Sequence, residues 1–289
     1  MRLLAAAALV VSAASALAQD LPSRWDELTA SDWPKAQEKA AYTCLLPLGI
    51  LEKHGQHLPM GADLIKVREF AARASRREYV VVFPDFFYGQ IYEARHQPGT
   101  FALPSRIVWD LLDATVDEIG RNGFKKIVLI NGHGGNPSLL QYFLQAQLER
   151  RRDYVLYYFN AAELAPAPQD EVARVRRSDP AGDLHAGERE TSLLLHMTPS
   201  LVQQGRATGE SGDNQRRWSI PNVSSGIWWY AGYPNHYAGQ GETGSRELGE
   251  LVTRHYVDAL AEALRAIKAD DKAPALQKEF YDRVERLGK

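Results

Sequence analysis

The sequence predicts an α/β fold: a three-layer α/β/α sandwich built on a mostly parallel central sheet. Two observations predict it. Short apolar runs with the length of strands alternate with longer segments whose apolar residues recur at helical spacing. Polar, glycine-containing stretches follow directly after two of these runs, where open α/β sheets place their sites. Alternating strands and helices favour parallel βαβ units with helices on both faces of the sheet.

Four short apolar runs are the predicted strands, at residues 43–48, 79–83, 126–130 and 153–159. The second run is rich in β-branched residues and stops at Pro84, which cannot donate to a strand ladder. The first and third runs are followed at once by glycine and polar residues. Those two strands are therefore the ones expected to carry a site.

Helical periodicity predicts the elements between and after the strands. A short helix is expected within 21–40, followed by helices over 62–76, 105–119, from Pro137 onward, up to His196, and over 245–268. Asn136 and Pro137 suit the N-cap and first position of their helix. Residues 161–182 are predicted as a surface excursion and 205–240 as a loop. The tail from residue 269 is expected to pack loosely or against a neighbouring subunit.

The N-terminus is typical of a cleaved signal peptide. Arg2 precedes an apolar stretch over 3–11, and Ala16-Leu17-Ala18 supplies an A-x-A cleavage signal. We predict cleavage after Ala18 and export to the periplasm or medium, with an uncleaved anchor as the alternative. The chain is then divided into a signal peptide (1–18), one domain (19–270) and a charged tail (271–289).

Composition excludes several classes of function. The formal net charge is -2, so there is no electrostatic reason to expect nucleic acid or, after signal removal, an anionic membrane as a partner. Cys44 is the only cysteine among 289 residues and lies in a predicted strand, which excludes an intramolecular disulfide. The chain must therefore rely on its hydrophobic core, and it is long enough to build one.

Three segments hold side chains that suit a metal site. The first contains Glu52, His54 and Asp63, the second His133, and the third His185, Glu188 and Glu190. Mixed imidazoles and carboxylates suit Zn²⁺, Mn²⁺ or Fe²⁺, of which Zn²⁺ is our first choice. The number of carboxylates favours two divalent ions, bridged by a residue such as Asp63. The alternative is a polar loop with surface histidines.

The glycines around His133, namely Gly132, Gly134 and Gly135, are expected to permit tight turning and to let the backbone approach metal or substrate closely. This turn lacks the Lys-Ser/Thr of a P-loop and the G-x-G-x-x-G spacing, so nucleotide binding is not indicated. No G-x-S-x-G elbow is present, and a covalent nucleophile is not indicated either.

These motifs resemble the creatininase (creatinine amidohydrolase) family. The resemblance rests on Glu52-Lys53-His54-Gly55-Gln56-His57 with Asp63, on Asn131-Gly132-His133-Gly134-Gly135-Asn136, and on His185-Ala186-Gly187-Glu188-Arg189-Glu190-Thr191-Ser192. His96-Gln97-Pro98-Gly99-Thr100 matches a further family loop. The similarity extends from about residue 24 to residue 268.

The resemblance implies a binuclear metal centre and hydrolysis of a C–N bond in a cyclic or linear non-peptide amide, by a water bridged by two divalent metals. Glu52 and His133 would bind one metal, His54 the other, and Asp63 would bridge them. His185 would be the catalytic proton carrier, with Glu190 as its orienting partner. The family also implies a homo-oligomer, often a hexamer.

Two departures from the family pattern make creatinine itself an unexpected substrate. Gly134 and Gly135 replace the Tyr and the metal-binding Glu that follow this histidine in members acting on creatinine. Glu188 is the predicted replacement ligand, with Glu190 as the alternative. The ring-stacking tryptophans have no evident counterpart between Phe159 and His185.

Residues predicted to contact the substrate are His96, Gly134, Gly135, Trp228, Trp229 and His236. The alternative for the aromatic residues is packing on a neighbouring subunit. Two other functions stay open: an exported metal-dependent lactone or ester hydrolase, and a non-catalytic metal- or solute-binding protein.

Overall fold

The computed structural model describes residues 21–287 and contains one sheet of four parallel strands in the order β2-β1-β3-β4. The strands are β1 (Thr43–Leu48), β2 (Val81–Val82), β3 (Lys126–Asn131) and β4 (Val155–Phe159). The predicted α/β sandwich is confirmed. The signal peptide predicted over 1–18 lies outside the described residues.

Nine α-helices occur within the described residues. They are α1 (Trp33–Lys39), α2 (Ala62–Arg77), α3 (Ser105–Arg121), α4 (Pro137–Ala146), α5 (Gln169–Val175), α6 (Glu188–Met197), α7 (Trp228–Gly232), α8 (Arg246–Ala269) and α9 (Lys272–Leu287). Two short helices, α5 and α7, lie in segments predicted as an excursion and a loop.

Both faces of the sheet are covered, so the strands are apolar on both sides. Leu45 and Val128 face the layer formed by α2, α6 and α8. Their neighbours Cys44, Leu46 and Leu129 point the opposite way, against α1, α3 and α4. This alternation follows from the two-residue repeat of a strand and gives one hydrophobic core on each face.

The C-terminal segment differs from the loosely packed tail expected from its charge. It forms α9, in which Tyr281 is buried and its hydroxyl donates to the carbonyl of Gln147 at 2.7 Å. The side-chain amide of Gln277 donates to the carbonyl of Tyr154 at 2.8 Å. Tyr281 and Gln277 therefore attach α9 to the domain. Within residues 21–287 no helix is long and apolar enough to cross a membrane.

Candidate metal centre

The centre lies where β1 and β3 end side by side. Leu48 pairs with Asn131, so the segments that carry Glu52 and His133 leave the sheet at the same edge. Asp63 approaches from the first turn of α2. A Cβ at Gly132 would lie 2.4 Å from the Asp63 carbonyl oxygen, so only glycine allows β3 and α2 to meet here. The close approach at this glycine is to the backbone of α2, whereas the sequence predicted an approach to metal or substrate.

Ligand atoms from three segments of the chain converge at this edge. Three overlapping groups of buried side chains have ligand atoms within 4.8 Å of one another: Glu52, His54 and His185; Glu52, Asp63 and His133; and His54, Asp63 and Glu190. The structure therefore brings together most of the predicted ligands, the predicted proton carrier and Glu190.

Each of the three histidines is oriented by a backbone carbonyl. The pairs are His54 Nδ1 with Glu52 O at 3.2 Å, His133 Nε2 with Gln90 O at 2.8 Å, and His185 Nε2 with Lys53 O at 2.8 Å. Because a carbonyl can only accept, that ring nitrogen carries a proton, and in the neutral ring the other nitrogen holds a lone pair. Such fixed tautomers are typical of metal-binding histidines.

Three converging atoms are buried without a hydrogen-bond partner among the described residues: Glu52 Oε1, His54 Nε2 and Asp63 Oδ2. His133 Nδ1 lies 2.8 Å from Glu52 Oε1 and 3.1 Å from Asp63 Oδ2. Leaving buried polar atoms unpaired is unfavourable, so such a set indicates a missing partner. Imidazole and carboxylate donors fit divalent cations such as Zn²⁺, Mn²⁺ or Fe²⁺.

Negative charge is in excess around these atoms. Four carboxylates face two permanent cations: Glu52, Asp63, Glu163 and Glu190 against Lys66 and Arg189. Lys66 Nζ lies 3.2 Å from Asp63, 3.0 Å from Glu163, and also contacts Glu190. Burial lowers the pKa of His54, but the carboxylates of Asp63, Glu52 and Glu190 outweigh it and raise that pKa to about 9. The site thus favours positive charge.

Glu190 lies in the cluster and Glu188 does not. The two oxygens of Glu188 accept the backbone N–H groups of Arg177 at 2.8 Å and Ser178 at 2.6 Å. Glu190 Oε2 lies 3.8 Å from His54 Nε2. Since α6 begins at Glu188, these two residues project about 200° apart around the helix. The structure therefore corrects the placement of Glu188 and favours the alternative, Glu190.

His185 is buried beside the cluster. Its ring centroid lies 4.4 Å from that of His54, and its Nδ1 lies 3.8 Å from Glu190 Oε2. Burial is the main cause that lowers the pKa of His185 to about 4. A neutral imidazole with its lone pair on Nδ1 can accept a proton, as the predicted role requires.

A cavity of about 320 Å³ adjoins the centre. Gly134, Trp228, Trp229 and His236 line it, as predicted, and Trp228 is more than half exposed. Gly135 also lines it, and a Cβ there would lie 2.4 Å from the side-chain oxygen of Gln90. A mouth with aromatic walls beside buried ligands is typical of a small-molecule site.

His96 does not line this cavity. Its Nε2 donates to the carbonyl of Pro234 at 2.8 Å, and the side chain borders a separate, more open cleft with Tyr230. The expectation that His96 reaches the substrate is therefore not met. The loop over 96–100 instead holds the backbone of the 205–240 segment.

Sequence reasoning missed the buried charges Lys66, Glu163 and Arg189. One signal was present, because Lys66 interrupts the apolar face of α2 one turn after Asp63. Glu163 lies in a segment predicted as a surface excursion, yet it is buried against Lys66 and Arg189. No local pattern marks it.

Comparisons with known proteins agree with this geometry. A family model described as creatininase (creatinine amidohydrolase) matches residues 26–264. A creatinine amidohydrolase from Pseudomonas putida is 26% identical over 250 residues, which are 83% of this chain and 95% of that protein. A mycofactocin precursor peptide peptidase from Mycolicibacterium smegmatis is 33% identical over 169 residues, 55% of this chain and 59% of that protein.

The fold is shared with solved creatininase structures. A crystal structure of creatinine amidohydrolase superposes with a TM-score of 0.73 at 23% identity, covering 86% of this chain and 98% of that chain. The family match spans most of the domain, including the segments that supply the clustered ligand atoms. The chain belongs to the creatininase family.

Proposed function

We propose that this protein is a metal-dependent amidohydrolase that cleaves a non-peptide or cyclic amide C–N bond in a substrate other than creatinine. Membership of the creatininase family supports hydrolysis. The observation that carries the metal dependence is the convergence of three partnerless buried ligand atoms, Glu52 Oε1, His54 Nε2 and Asp63 Oδ2, beside the cavity.

Two divalent ions fit the donor set. Glu52, Asp63 and His133 would hold one ion, and His54, Asp63 and Glu190 the other, so that Asp63 bridges them. We favour Zn²⁺, with Mn²⁺ or Fe²⁺ as alternatives. When bound, such ions lower the pKa of a water towards neutrality and polarise a carbonyl oxygen.

His185 has the geometry of the proton carrier. Its Nε2–H is held by the carbonyl of Lys53, so Nδ1 is free to take a proton from the attacking water. The same nitrogen then donates that proton to the departing amide nitrogen. Glu190 Oε2 lies 3.8 Å from Nδ1, and its negative charge would stabilise the imidazolium once Nδ1 has taken the proton.

The cavity limits the size of the substrate. A volume of about 320 Å³ is at the lower end of the range for small-molecule sites. Trp228 and Trp229 supply aromatic lining, and Gly134 and Gly135 line the same cavity without side chains. The site therefore suits a compact amide better than a long polymer.

Metal analysis followed by a substrate screen tests this proposal. We expect two divalent ions per chain and hydrolysis of at least one cyclic ureide, lactam or formamide. Hydrolysis of short peptides alone would contradict the non-peptide assignment. Hydrolysis restricted to matching lactones and esters would replace the amide assignment. Intact metal content with no turnover under any metal would favour a binding protein.

Glu190→Gln and Glu188→Gln form a matched pair for the second ion. The Glu190 variant should lose one equivalent of metal, because its carboxylate faces His54. The Glu188 variant should keep both, because its carboxylate caps the backbone at Arg177 and Ser178. The opposite pattern would reverse the assignment.

Export and assembly remain predictions. N-terminal sequencing of protein recovered from the periplasm tests cleavage after Ala18. Sedimentation analysis of the mature protein tests the homo-oligomer, a hexamer, that the family resemblance implies.

A further inference from the structure

His236 is not one of the proposed metal ligands, but its side chain contacts one of them, Glu52. Its Nε2 lies against Glu52 Oε2, and its side chain is buried. Its backbone φ is +53°, in the left-handed region that residues other than glycine rarely adopt. We propose that His236 is a positioning residue for Glu52, fixed in one tautomer by Trp229. This inference rests on the proposed function, since it takes Glu52 as a metal ligand.

Trp229 determines which nitrogen of His236 carries the proton. The indole Nε1–H of Trp229 donates to His236 Nδ1 at 2.8 Å. An indole can only donate, so Nδ1 accepts and is unprotonated. Nε2 then carries the hydrogen and donates it to Glu52 Oε2. Indole, imidazole and carboxylate thus form one directed chain of hydrogen bonds.

These hydrogen bonds give the two carboxylate oxygens of Glu52 different roles. Oε2 accepts the hydrogen bond from His236, while Oε1 faces His133 and is buried without a hydrogen-bond donor. Glu52 is fully buried, so an unfixed carboxylate would lose its orientation towards the centre. The hydrogen bond therefore keeps one oxygen free and aimed at the position a cation would take.

The unusual backbone at His236 is held by the residues on its N-terminal side. Lys53 Nζ donates to the carbonyl of Asn235 at 2.9 Å and to Glu210 at 2.6 and 2.8 Å. The side chains of His96 and Gln97 donate to the carbonyl of Pro234 at 2.8 and 2.9 Å. Two successive carbonyls before His236 are therefore clamped by buried or loop side chains.

The C-terminal side is held as well. Ala238 exchanges two backbone hydrogen bonds with His185, at 2.9 and 3.0 Å. The chain is thus fixed two residues after His236 by the residue we assign to proton transfer. Backbone strain kept in place by such surroundings is typical of functional positions.

Zinc titration of three variants tests the positioning role. Metal-stripped protein is titrated with Zn²⁺ against a chromophoric chelator, alongside circular dichroism to verify folding. His236→Asn adopts a left-handed backbone readily but is too short to reach Glu52. We expect its Zn²⁺ affinity at one site to fall about 10- to 100-fold.

His236→Gln and Trp229→Phe complete the series. The Gln side chain retains an N–H donor and should restore most of the Zn²⁺ affinity lost in the Asn variant. The Phe side chain keeps the aromatic ring but removes the donor, so affinity should fall by less than in His236→Asn. Unchanged Zn²⁺ affinity in His236→Asn, with only KM raised, would overturn the inference. It would show that His236 contacts the substrate and does not position Glu52.

Combining two substitutions tests whether the hydrogen bonds of Lys53 hold the backbone at His236. Glu210→Gln weakens the hold on Lys53 and should lower Zn²⁺ affinity in the wild-type background but not in His236→Asn. Equal losses of Zn²⁺ affinity in both backgrounds would show that Lys53 does not act through His236. If the wild type binds two Zn²⁺ yet hydrolyses nothing, the proposed function fails while the positioning role of His236 stands.

Discussion

The two edges of the central sheet both carry clusters of charged side chains, and the clusters are balanced differently. At the amino edge, Asp113 and Asp117 of α3 face Arg150 and Arg152, and Arg152 Nη2 lies 2.6 Å from Asp113. The hydroxyl of Tyr154 donates to Asp117 at 2.7 Å. Two carboxylates therefore meet two guanidinium groups.

At the carboxyl edge the number of carboxylates exceeds the number of permanent cations. Within residues 21–287, four buried carboxylates face two permanent cations, Lys66 and Arg189, and buried ligand atoms on Glu52, His54 and Asp63 have no hydrogen-bond partner. Arginine pairing balances the charges at the amino edge, although Arg152 Nε is buried there without a hydrogen-bond partner among the described residues. Under the proposed function, bound cations would balance the carboxyl edge, and this need would distinguish it from the arginine-paired amino edge.

Asp63→Asn should have the largest effect, because one carboxylate serves both proposed ions. We expect loss of both metals and a fall in turnover of at least about a thousandfold, the equivalent of several kcal/mol of lost transition-state stabilisation. Elemental analysis and an amide-hydrolysis assay measure it. Asp117→Asn, the matched change at the amino edge, should keep its metal. Full metal content in Asp63→Asn would refute the bridging role.

His185→Gln should reduce turnover by about 100-fold or more while the metals stay bound, since proton transfer and not metal binding is removed. Steady-state kinetics with parallel metal analysis separates the two effects. His196→Gln is the control, because His196 lies further along α6 beside Arg73. Wild-type turnover in His185→Gln would exclude the proton role.

Chelation should destabilise the protein through the carboxyl edge. With free metal at about 1,000 times Kd, each site contributes about 4 kcal/mol of stability. Removing metal should therefore lower Tm by on the order of 10 °C in a domain of this size. Differential scanning calorimetry with and without chelator measures the shift. An identical Tm after complete metal removal would show that the acidic excess is balanced within the protein.

Asp117→Asn should have the smallest effect, confined to stability. Burial raises the pKa of Asp117, but hydrogen bonds from Arg150, Tyr154 and Arg152 outweigh it and hold that pKa below its usual value. A lowered folded-state pKa stabilises above about pH 4 and ceases to do so as the pH falls. Because Asp117 is about one-third exposed, we expect a loss of about 1 kcal/mol at pH 7.

Urea unfolding of the Asp117→Asn variant at pH 7 and pH 3 measures this. The difference from the wild type should shrink at the lower pH. A constant difference would mean that packing, and not the carboxylate charge, is what the substitution removes.

The sheet and the ligand-bearing segments could be predicted because both depend on local patterns. The apolar runs specify the strands, and Glu52 and His133 follow two of them directly. The structure places Glu190 in the cluster instead of the predicted Glu188, because which of the two faces the site depends on the exact residue at which α6 begins. The Lys66–Glu190 pair joins residues 124 apart, and no periodicity reports such a contact.

The placement of α9 bears on how this domain should be expressed. The family match ends at residue 264, inside α8, and leaves α9 outside. A chain cut there would expose the Gln147 and Tyr154 carbonyls beside β4, the last strand of the sheet. Uncovered edge strands invite intermolecular pairing and aggregation. Fragments for crystallisation or assay should therefore extend through Leu287.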